Sequence, residues 1–438
     1  MREYFFWALI AGLVPFVLKR PLWGGMAYIV LNIIRPEMLF WGGHIGSLSL
    51  KIIIGATMAA TMIKLSEIDI KKLLSRELIL LLWLFAGLKL SILFSDYYIE
   101  RADYYAFEIF KLLVLCVFIT LAVNKVKDAL MLQRGILVAV TLLGIWGIEQ
   151  ALRGNTRLEG LGGSSFGDSN SVAALFVLYF PLAFVHFVES RETRTKLMYG
   201  LSSMVIVLLI MFTKSRGGFL ALVASVCYCV YQAPSKKTYM TWVMIGLLCA
   251  LPFAGEQYMK RINTLKVSSV EDMEGSGRSR LYLWSAGLHV FMDNPFLGTG
   301  FMTYPLAKMK YEHKYYHLDA KFREWVFRKE SPKVTHNTYI QMMSDTGIVG
   351  VFPYLWLIFG VFVSNRRLYR GISAKEDEDK GALRMLRAME AGIAGFCVSI
   401  IFIDSITFIF FPIQIVASAC LRDCLVKKTL YLQAEGAA

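Results

Sequence analysis

Residues 171–188 read SVAALFVLYFPLAFVHFV, a run without Asp, Glu, Lys or Arg, and RETRTK follows at 191–196. An uncharged run of this length can cross a bilayer as one helix, and a basic loop at its end belongs on the cytoplasmic side. Working outward, comparable blocks occupy 78–94, 104–123, 197–212, 216–233, 240–254, 346–363 and 388–411. Further candidates lie at 4–18, 22–41, 45–63, 130–150 and 412–426. At roughly 20 residues per crossing, the chain reads as an all-α integral membrane protein with about twelve transmembrane helices. Composition agrees: 56% of the 438 residues are hydrophobic and 18% are charged, and the apolar excess is gathered into blocks. That distribution excludes an ordinary soluble domain. Lys19-Arg20-Pro21 follows the first block where a small-residue cleavage site would otherwise stand, so the block reads as a retained span.

The net charge of +14 sits largely in short loops beside the blocks, where topology explains it without a nucleic-acid partner. Residues 64–76 carry Lys64, Lys71, Lys72 and Arg76; 124–134 carry Lys125, Lys127 and Arg134. Lys236-Lys237 and the stretch from Arg366 to Arg387 continue the cytoplasmic series. Between them, 95–103 has one Arg among Asp96, Glu100 and Asp103, and 151–170 is rich in Gly and Ser. This alternation sends three segments to the external face: 151–170, 213–216 and the long stretch 255–345. Residues 1–254 are then spans with short loops, 255–345 a long external loop containing helices, and 346–438 the last spans with a cytoplasmic tail. Strict alternation places Met1 outside unless the first two blocks form a hairpin.

The seven cysteines lie in or beside apolar blocks without zinc or redox spacing and read as small packing residues. Asp377-Glu378-Asp379 has the outward form of a nucleotide-sugar site, but it stands in a mixed-charge run, GISAKEDEDKG, with no strand–helix alternation around it. It reads as a solvated loop.

Four external stretches carry unusual residues. In KSRGGF (214–219), Lys214 and Arg216 either snorkel to headgroups or bind an anion, with Gly217 and Gly218 allowing close backbone approach. In GSGRSRLYLW (275–284), glycines precede Arg278 and Arg280 at the entry to a helical pattern. A helix N-terminus with guanidinium groups beside it suits a phosphate. In SPKVTHNTYIQMMSDTG (331–347), Pro332 breaks the preceding segment and Thr338 with Gln341 can form a capping box. That puts His336 and Asn337 just ahead of a helix, where the histidine is either structural or catalytic. In GLGGSSFGDSNS (160–171), Asp168 and Asn170 either cap the next helix or touch a sugar. His313 and His317 share an i,i+4 spacing, yet no third metal ligand follows. The segment from Phe301 to Lys329 reads as an interfacial helix mixing aromatic and basic residues.

Taken in order, these stretches resemble the O-antigen ligase and O-antigen polymerase superfamily of lipid-linked glycan transferases. The resemblance covers roughly 165–365. It rests on the glycine-rich loop ending in Asn170, the helix through Pro181, SRGG at 215–218 and RLYLW at 280–284. NPFLGTGF at 294–301, HNTYIQ at 336–341 and DTGIVG at 345–350 complete it. RPLWGG (20–25) and NIIRPEMLFWGG (32–43) look like the ligase-like subgroup associated with exosortase systems.

The resemblance implies a multi-pass enzyme of a bacterial, Gram-negative inner membrane with its site facing the periplasm. It implies a donor glycan on undecaprenyl pyrophosphate, and neither a metal nor another cofactor. Carried over residue by residue, His336 would be the catalytic base and Arg216 and Arg280 would hold the pyrophosphate. Arg278 competes with Arg280, because the spacing to Trp284 favours one and the preceding glycine the other. Lys214, Asn170 and Asn337 are possible substrate contacts. Asp345 stands where the family often has Glu, and no role is assigned to it. The implied activity is an O-antigen ligase acting on a lipid A–core sugar. Polymerases and protein O-oligosaccharyltransferases share the chemistry and differ in acceptor. A lipid-linked-oligosaccharide flippase should instead carry its charges near mid-span between repeats.

Overall fold

The computed structural model describes residues 2–36, 45–97, 99–155, 158–161, 167–250, 275–328, 333–372 and 377–437, and among these there is no strand. The helices before the second half of the chain are α1 (Arg2–Lys19), α2 (Pro21–Ile34), α3 (Ile45–Ile63), α4 (Arg76–Leu93), α5 (Glu100–Ala122), α6 (Val126–Leu152), α7 (Ser169–Glu189), α8 (Thr193–Phe212), α9 (Arg216–Gln232) and α10 (Lys236–Ala250). They are followed by α11 (Gly275–Asp293), α12 (Tyr304–Ala307), α13 (Ala320–Val326), α14 (Thr338–Gly371), α15 (Asp377–Ser399) and α16 (Phe410–Ala437). Among the described residues, five helices are long and apolar enough to cross a membrane: α5, α6, α7, α8 and α14. Shorter apolar helices run over Tyr4–Lys19, Pro21–Ile34 and Leu48–Ile63.

The stretch at 171–188 forms the centre of the bundle. Every residue of α7 from Val172 to His186 is buried, so this helix faces protein on all sides. Small residues bring its neighbours close: a Cβ on Gly392 of α15 would lie 2.0 Å from the Leu178 carbonyl oxygen, and one on Gly218 of α9 would lie 2.5 Å from the Ala173 methyl. Because lipid tails are as apolar as the helices, such close backbone approach is what favours helix association in a bilayer.

The two ends of the bundle differ in chemistry. At one end the basic connections are tied together. Lys64 donates to the Lys19 carbonyl at 2.6 Å, Arg20 pairs with Asp128, and Lys72 donates to the Val123 carbonyl at 2.7 Å. Lys427 pairs with Asp69 at 3.0 Å, and Lys428 holds Glu378 and Asp379 at 3.1 and 2.9 Å. The acidic run is thus the first turn of α15 and is neutralised from α16. Glu189, at the close of α7, takes Arg384 at 2.9 Å and the Tyr239 hydroxyl at 2.6 Å.

The opposite end collects the starts of α7, α9 and α14 and the whole of α11–α13. Asn170 meets Ser215 there, and Thr338 bonds to the segment between α15 and α16. The described parts of 151–170 and 255–345, together with 213–216, therefore share one end. Residues 162–166, 251–274 and 329–332, which include Ser331 and Pro332, lie outside the described residues.

Two sequence readings change. The apolar block 388–411 does not remain one helix: α15 closes at Ser399, and an irregular segment runs to Ile409 before α16 starts at Phe410. Its backbone is held by the start of α14, since Thr338 N–H donates to the Ile400 carbonyl at 2.9 Å and the Thr338 hydroxyl to the Ile403 carbonyl at 2.8 Å.

The stretch from Phe301 to Lys329 is likewise not one interfacial helix. It folds as α12, a 3-10 turn over Lys308–Tyr315 and α13, closing on α11 around a small core. Tyr304, Tyr311 and Tyr315, expected at an interface, point into that core and are 0%, 3% and 4% exposed.

Candidate active site

His336 stands in a three-residue turn whose two neighbours are pinned. On one side, the Thr335 carbonyl accepts from the Trp284 indole N–H at 2.9 Å, and the Thr335 N–H donates to Gln341 Oε1 at 3.2 Å. On the other, Asn337 is buried and caps α14, its Oδ1 accepting from the Tyr339 and Ile340 N–H groups at 3.0 and 3.2 Å. Between these buried residues His336 takes φ +51°, and its imidazole keeps an edge open to solvent while most of its surroundings are protein. The left-handed region is one that histidine enters more readily than most side chains. The cap is therefore Asn337, and the expected Thr338–Gln341 box does not form. Thr338 bolts α14 to the 400–405 backbone, and Gln341 braces the histidine turn.

A second brace lies behind it. The buried Lys308 ammonium donates to the Val326 carbonyl at 2.8 Å and the Lys333 carbonyl at 2.9 Å, between the rings of Tyr304 and Phe327. Burial pulls its pKa down to about 7. Lys308 was one of several basic residues in an aromatic segment, and only its burial distinguishes it.

The link between NPFLGTGF and DTGIVG is a hydrogen-bonding one. Within α14, Gly347 leaves helical geometry at φ +57° and ψ −157°, which frees backbone groups on both sides of the break. The 294–301 segment takes them up. Thr299 and Gly300 N–H donate to the Ser344 and Asp345 carbonyls at 3.0 Å, and Ile348 and Val349 N–H donate to the Pro295 and Phe296 carbonyls at 2.8 and 3.2 Å. Asp345 completes the joint by accepting from the Met302 and Tyr304 N–H groups at 2.9 and 2.8 Å and from Gln341 Nε2 at 2.8 Å. Its place in the joint is structural, and it connects to the histidine turn through Gln341.

The cations come from two other elements. Ser215 caps α9, accepting from the Gly218 N–H at 2.9 Å and donating to Asn170 Oδ1 at 2.6 Å. This fixes Arg216 as the first residue of α9, beside Lys214 in a turn at φ +51°. Gly217 and Gly218 do not leave the backbone open to a ligand: Cβ atoms there would meet Phe402 at 2.9 Å and Ala173 at 2.5 Å.

Arg280, on α11, is partly buried, and burial together with the nearby Arg216 charge presses its pKa downward, with Asp168 opposing. The His336 pKa is lowered by burial and by the Arg280 charge, again with Asp168 opposing. Arg280 thus feels the charge of Arg216, His336 feels that of Arg280, and Asp168 is the counter-charge to both Arg280 and His336. Asp168 itself caps α7 through the Asn170 and Ser171 N–H groups at 2.8 and 3.1 Å.

Arg278 turns elsewhere: its guanidinium lies 4.7 Å from the centroid of the Phe322 ring in α13. His313 bonds the Lys310 carbonyl at 3.0 Å within its own turn, and among the described residues no three His, Cys, Asp or Glu side chains gather into a metal-binding group.

Residues 201–355 match the family model described as O-antigen ligase. Over those residues the chain is similar to an O-antigen ligase domain. That domain takes in Arg216, Arg280, His336 and the Gly347 joint, while the 160–170 loop, RPLWGG and NIIRPEMLFWGG precede it. O-antigen ligase domains belong to membrane glycosyltransferases of the ligase and polymerase type, which act on lipid-linked glycans. No curated protein matches the chain.

Trp284 offers a test of the turn. Trp284→Phe keeps a ring on α11 and removes the hydrogen bond to Thr335, a loss of about 1 kcal/mol or roughly fivefold. Turnover is expected to fall by up to that amount, with the thermal midpoint lowered only slightly. Unaltered turnover would show that the bond does not position His336.

Proposed function

We propose that this protein is an O-antigen ligase. It moves a glycan from undecaprenyl pyrophosphate to a hydroxyl of a lipid A–core sugar, at the periplasmic face of a bacterial inner membrane crossed by about twelve helices. The observation that carries this reading is the convergence of Arg216 and Arg280, from elements far apart in sequence, beside His336 at one end of the bundle. Two guanidinium groups that repel each other at a helix N-terminus form a site that a dianion relieves. Placement at one end, rather than midway along the helices, favours a transferase over a transporter.

In the proposed reaction, His336 accepts the proton of the acceptor hydroxyl as its oxygen bonds the anomeric carbon. The bond from that carbon to the pyrophosphate oxygen breaks, and its electron pair leaves with the polyprenyl pyrophosphate, where Arg216 and Arg280 meet the developing charge. Attack opposite the leaving group inverts the anomeric centre. Lys214 stands beside the same helix start. Asn337 and Asn170 support the site through the α14 cap and the bond to Ser215.

The test is charge-conserving. A planar guanidinium offers two parallel donors that an ammonium cannot reproduce. Arg216→Lys and Arg280→Lys are each expected to lose roughly ten- to a hundred-fold in initial rate at matched protein level, the worth of one charge-assisted hydrogen bond. Arg278→Lys, at the Phe322 ring, is expected to be milder. Full activity in both variants would reduce the arginines to headgroup anchors. Activity is also expected to survive EDTA; loss on chelation with rescue by added metal would return His313 and His317 to consideration.

A further inference from the structure

A cavity of about 500 Å³ opens between α2, α5, the start of α7, the Phe301–Met302 turn and the 404–410 segment. Pockets of this size hold a ligand of a few rings. The charged groups on its wall do not suit a pyrophosphate: Glu108, Asp168 and Asp404 outnumber Arg35 and Lys111, and Lys111 is paired with Glu108 at 2.5 Å. Nor do they suit an acyl chain, which would leave that many polar groups without water or partners. Tyrosines 28, 104 and 105 stand among the acids, and Phe301 and Phe408 add flat apolar faces. Carboxylates that accept from hydroxyls, beside rings that cover C–H faces, are the chemistry of a carbohydrate site. Asp168 lines this cavity and is also the acid that both Arg280 and His336 feel, so the cavity and the cationic site share a wall.

We propose that this cavity is the acceptor subsite and takes a neutral or amino-bearing pyranose rather than an anionic one. Asp404 and Tyr104 are its specificity-determining residues. The proposal rests on the transferase reading above. Asp404 comes from the irregular segment that interrupts the last apolar block and stands on the cavity wall. A carboxylate in an otherwise apolar stretch of a membrane protein is costly and calls for a use. Tyr104 is 61% exposed at the rim, so truncating it leaves the core intact.

The experiment measures binding without turnover, so it stands apart from the arginine and histidine tests. The purified full-length protein in nanodiscs is titrated with free glucose, glucosamine and glucuronate, read by saturation-transfer NMR. Glucose and glucosamine are expected to bind at least tenfold more tightly than glucuronate. Asp404→Asn and Tyr104→Ala are each expected to weaken them by at least fivefold while the thermal midpoint holds. Inorganic pyrophosphate is expected to leave sugar binding in place, whereas Arg216→Ala weakens pyrophosphate binding alone. The proposal is overturned if no sugar binds, if glucuronate is preferred, or if neither variant changes the affinity. Displacement of the sugar by pyrophosphate also overturns it, because the cavity would then belong to the donor.

Discussion

Replacing His336 with alanine is expected to cut glycan transfer by about 100- to 10,000-fold, the usual contribution of a positioned general base. The protein should still insert and purify, because the fold around the turn is held by Thr335, Asn337 and Gln341 and not by the imidazole. The pH profile gives the same assignment a second reading. A base acts in its neutral form, and burial and the Arg280 charge lower the His336 pKa below its ordinary value of 6.5. The acid limb of kcat/KM should therefore lie below that value, with activity lost only as pH falls through the lowered pKa. Arg280→Gln removes one of the two leading causes, so its acid limb should move toward higher pH even as its rate falls. A properly inserted His336→Ala enzyme with near-normal turnover would remove this residue as the base.

The second large effect is on stability. Gly298 takes φ +66°, and a Cβ there would lie 2.3 Å from the Asp345 carbonyl carbon. Gly298→Ala combines the left-handed backbone term with overpacking against a backbone that cannot move aside, about 2–5 kcal/mol together. Its midpoint of thermal unfolding in detergent is expected to drop well below that of Gly154→Ala. Gly154 has φ +103° with nothing within 4 Å and so carries the backbone term alone. Equal midpoints for the two variants would mean that the joint between 294–301 and α14 is looser than its hydrogen bonds indicate.

The long helices, and the gathering of the candidate residues at one end, were legible because period and charge report them directly. An uncharged run and a basic flank are enough for α7, and the alternation of basic loops places the starts of α7, α9 and α14 together. The joint was only half legible. NPFLGTG and DTGIVG could be seen as separate motifs, but no local rule says that one takes up the hydrogen bonds freed by a glycine in the other. The cap was misread by one residue, since Asn337 and Thr338 are both good caps and the choice was made by Ile400 and Ile403, which engage Thr338 from more than sixty positions away.

The break after Ser399 was hidden for a similar reason. Its residues are apolar enough to continue a span, and only Asp404 signalled otherwise. Phe301–Lys329 was ambiguous in principle, because tyrosines mixed with lysines suit a headgroup layer and a small aromatic core equally well. Sequence spacing alone said nothing of Phe322, against whose ring the Arg278 guanidinium lies.

The encirclement of α7 has a bearing on biogenesis. Its residues are apolar enough to rest in lipid alone, yet in the finished protein none from Val172 to His186 touches it. One of the helices that covers it, α15, is different: it carries Arg384, Arg387 and the fully buried Glu390, whose carboxylate accepts from Tyr228, Asn365 and Tyr369. A segment so charged is a poor candidate for partitioning on its own. It emerges from the ribosome roughly 200 residues after α7, some 10–40 s later at ordinary elongation rates. By then α7, α8, α9 and the start of α14 are already in place to receive it. The most polar of the inner helices is thus made late, as a guest entering a half-built ring, and its insertion depends on hosts synthesised first.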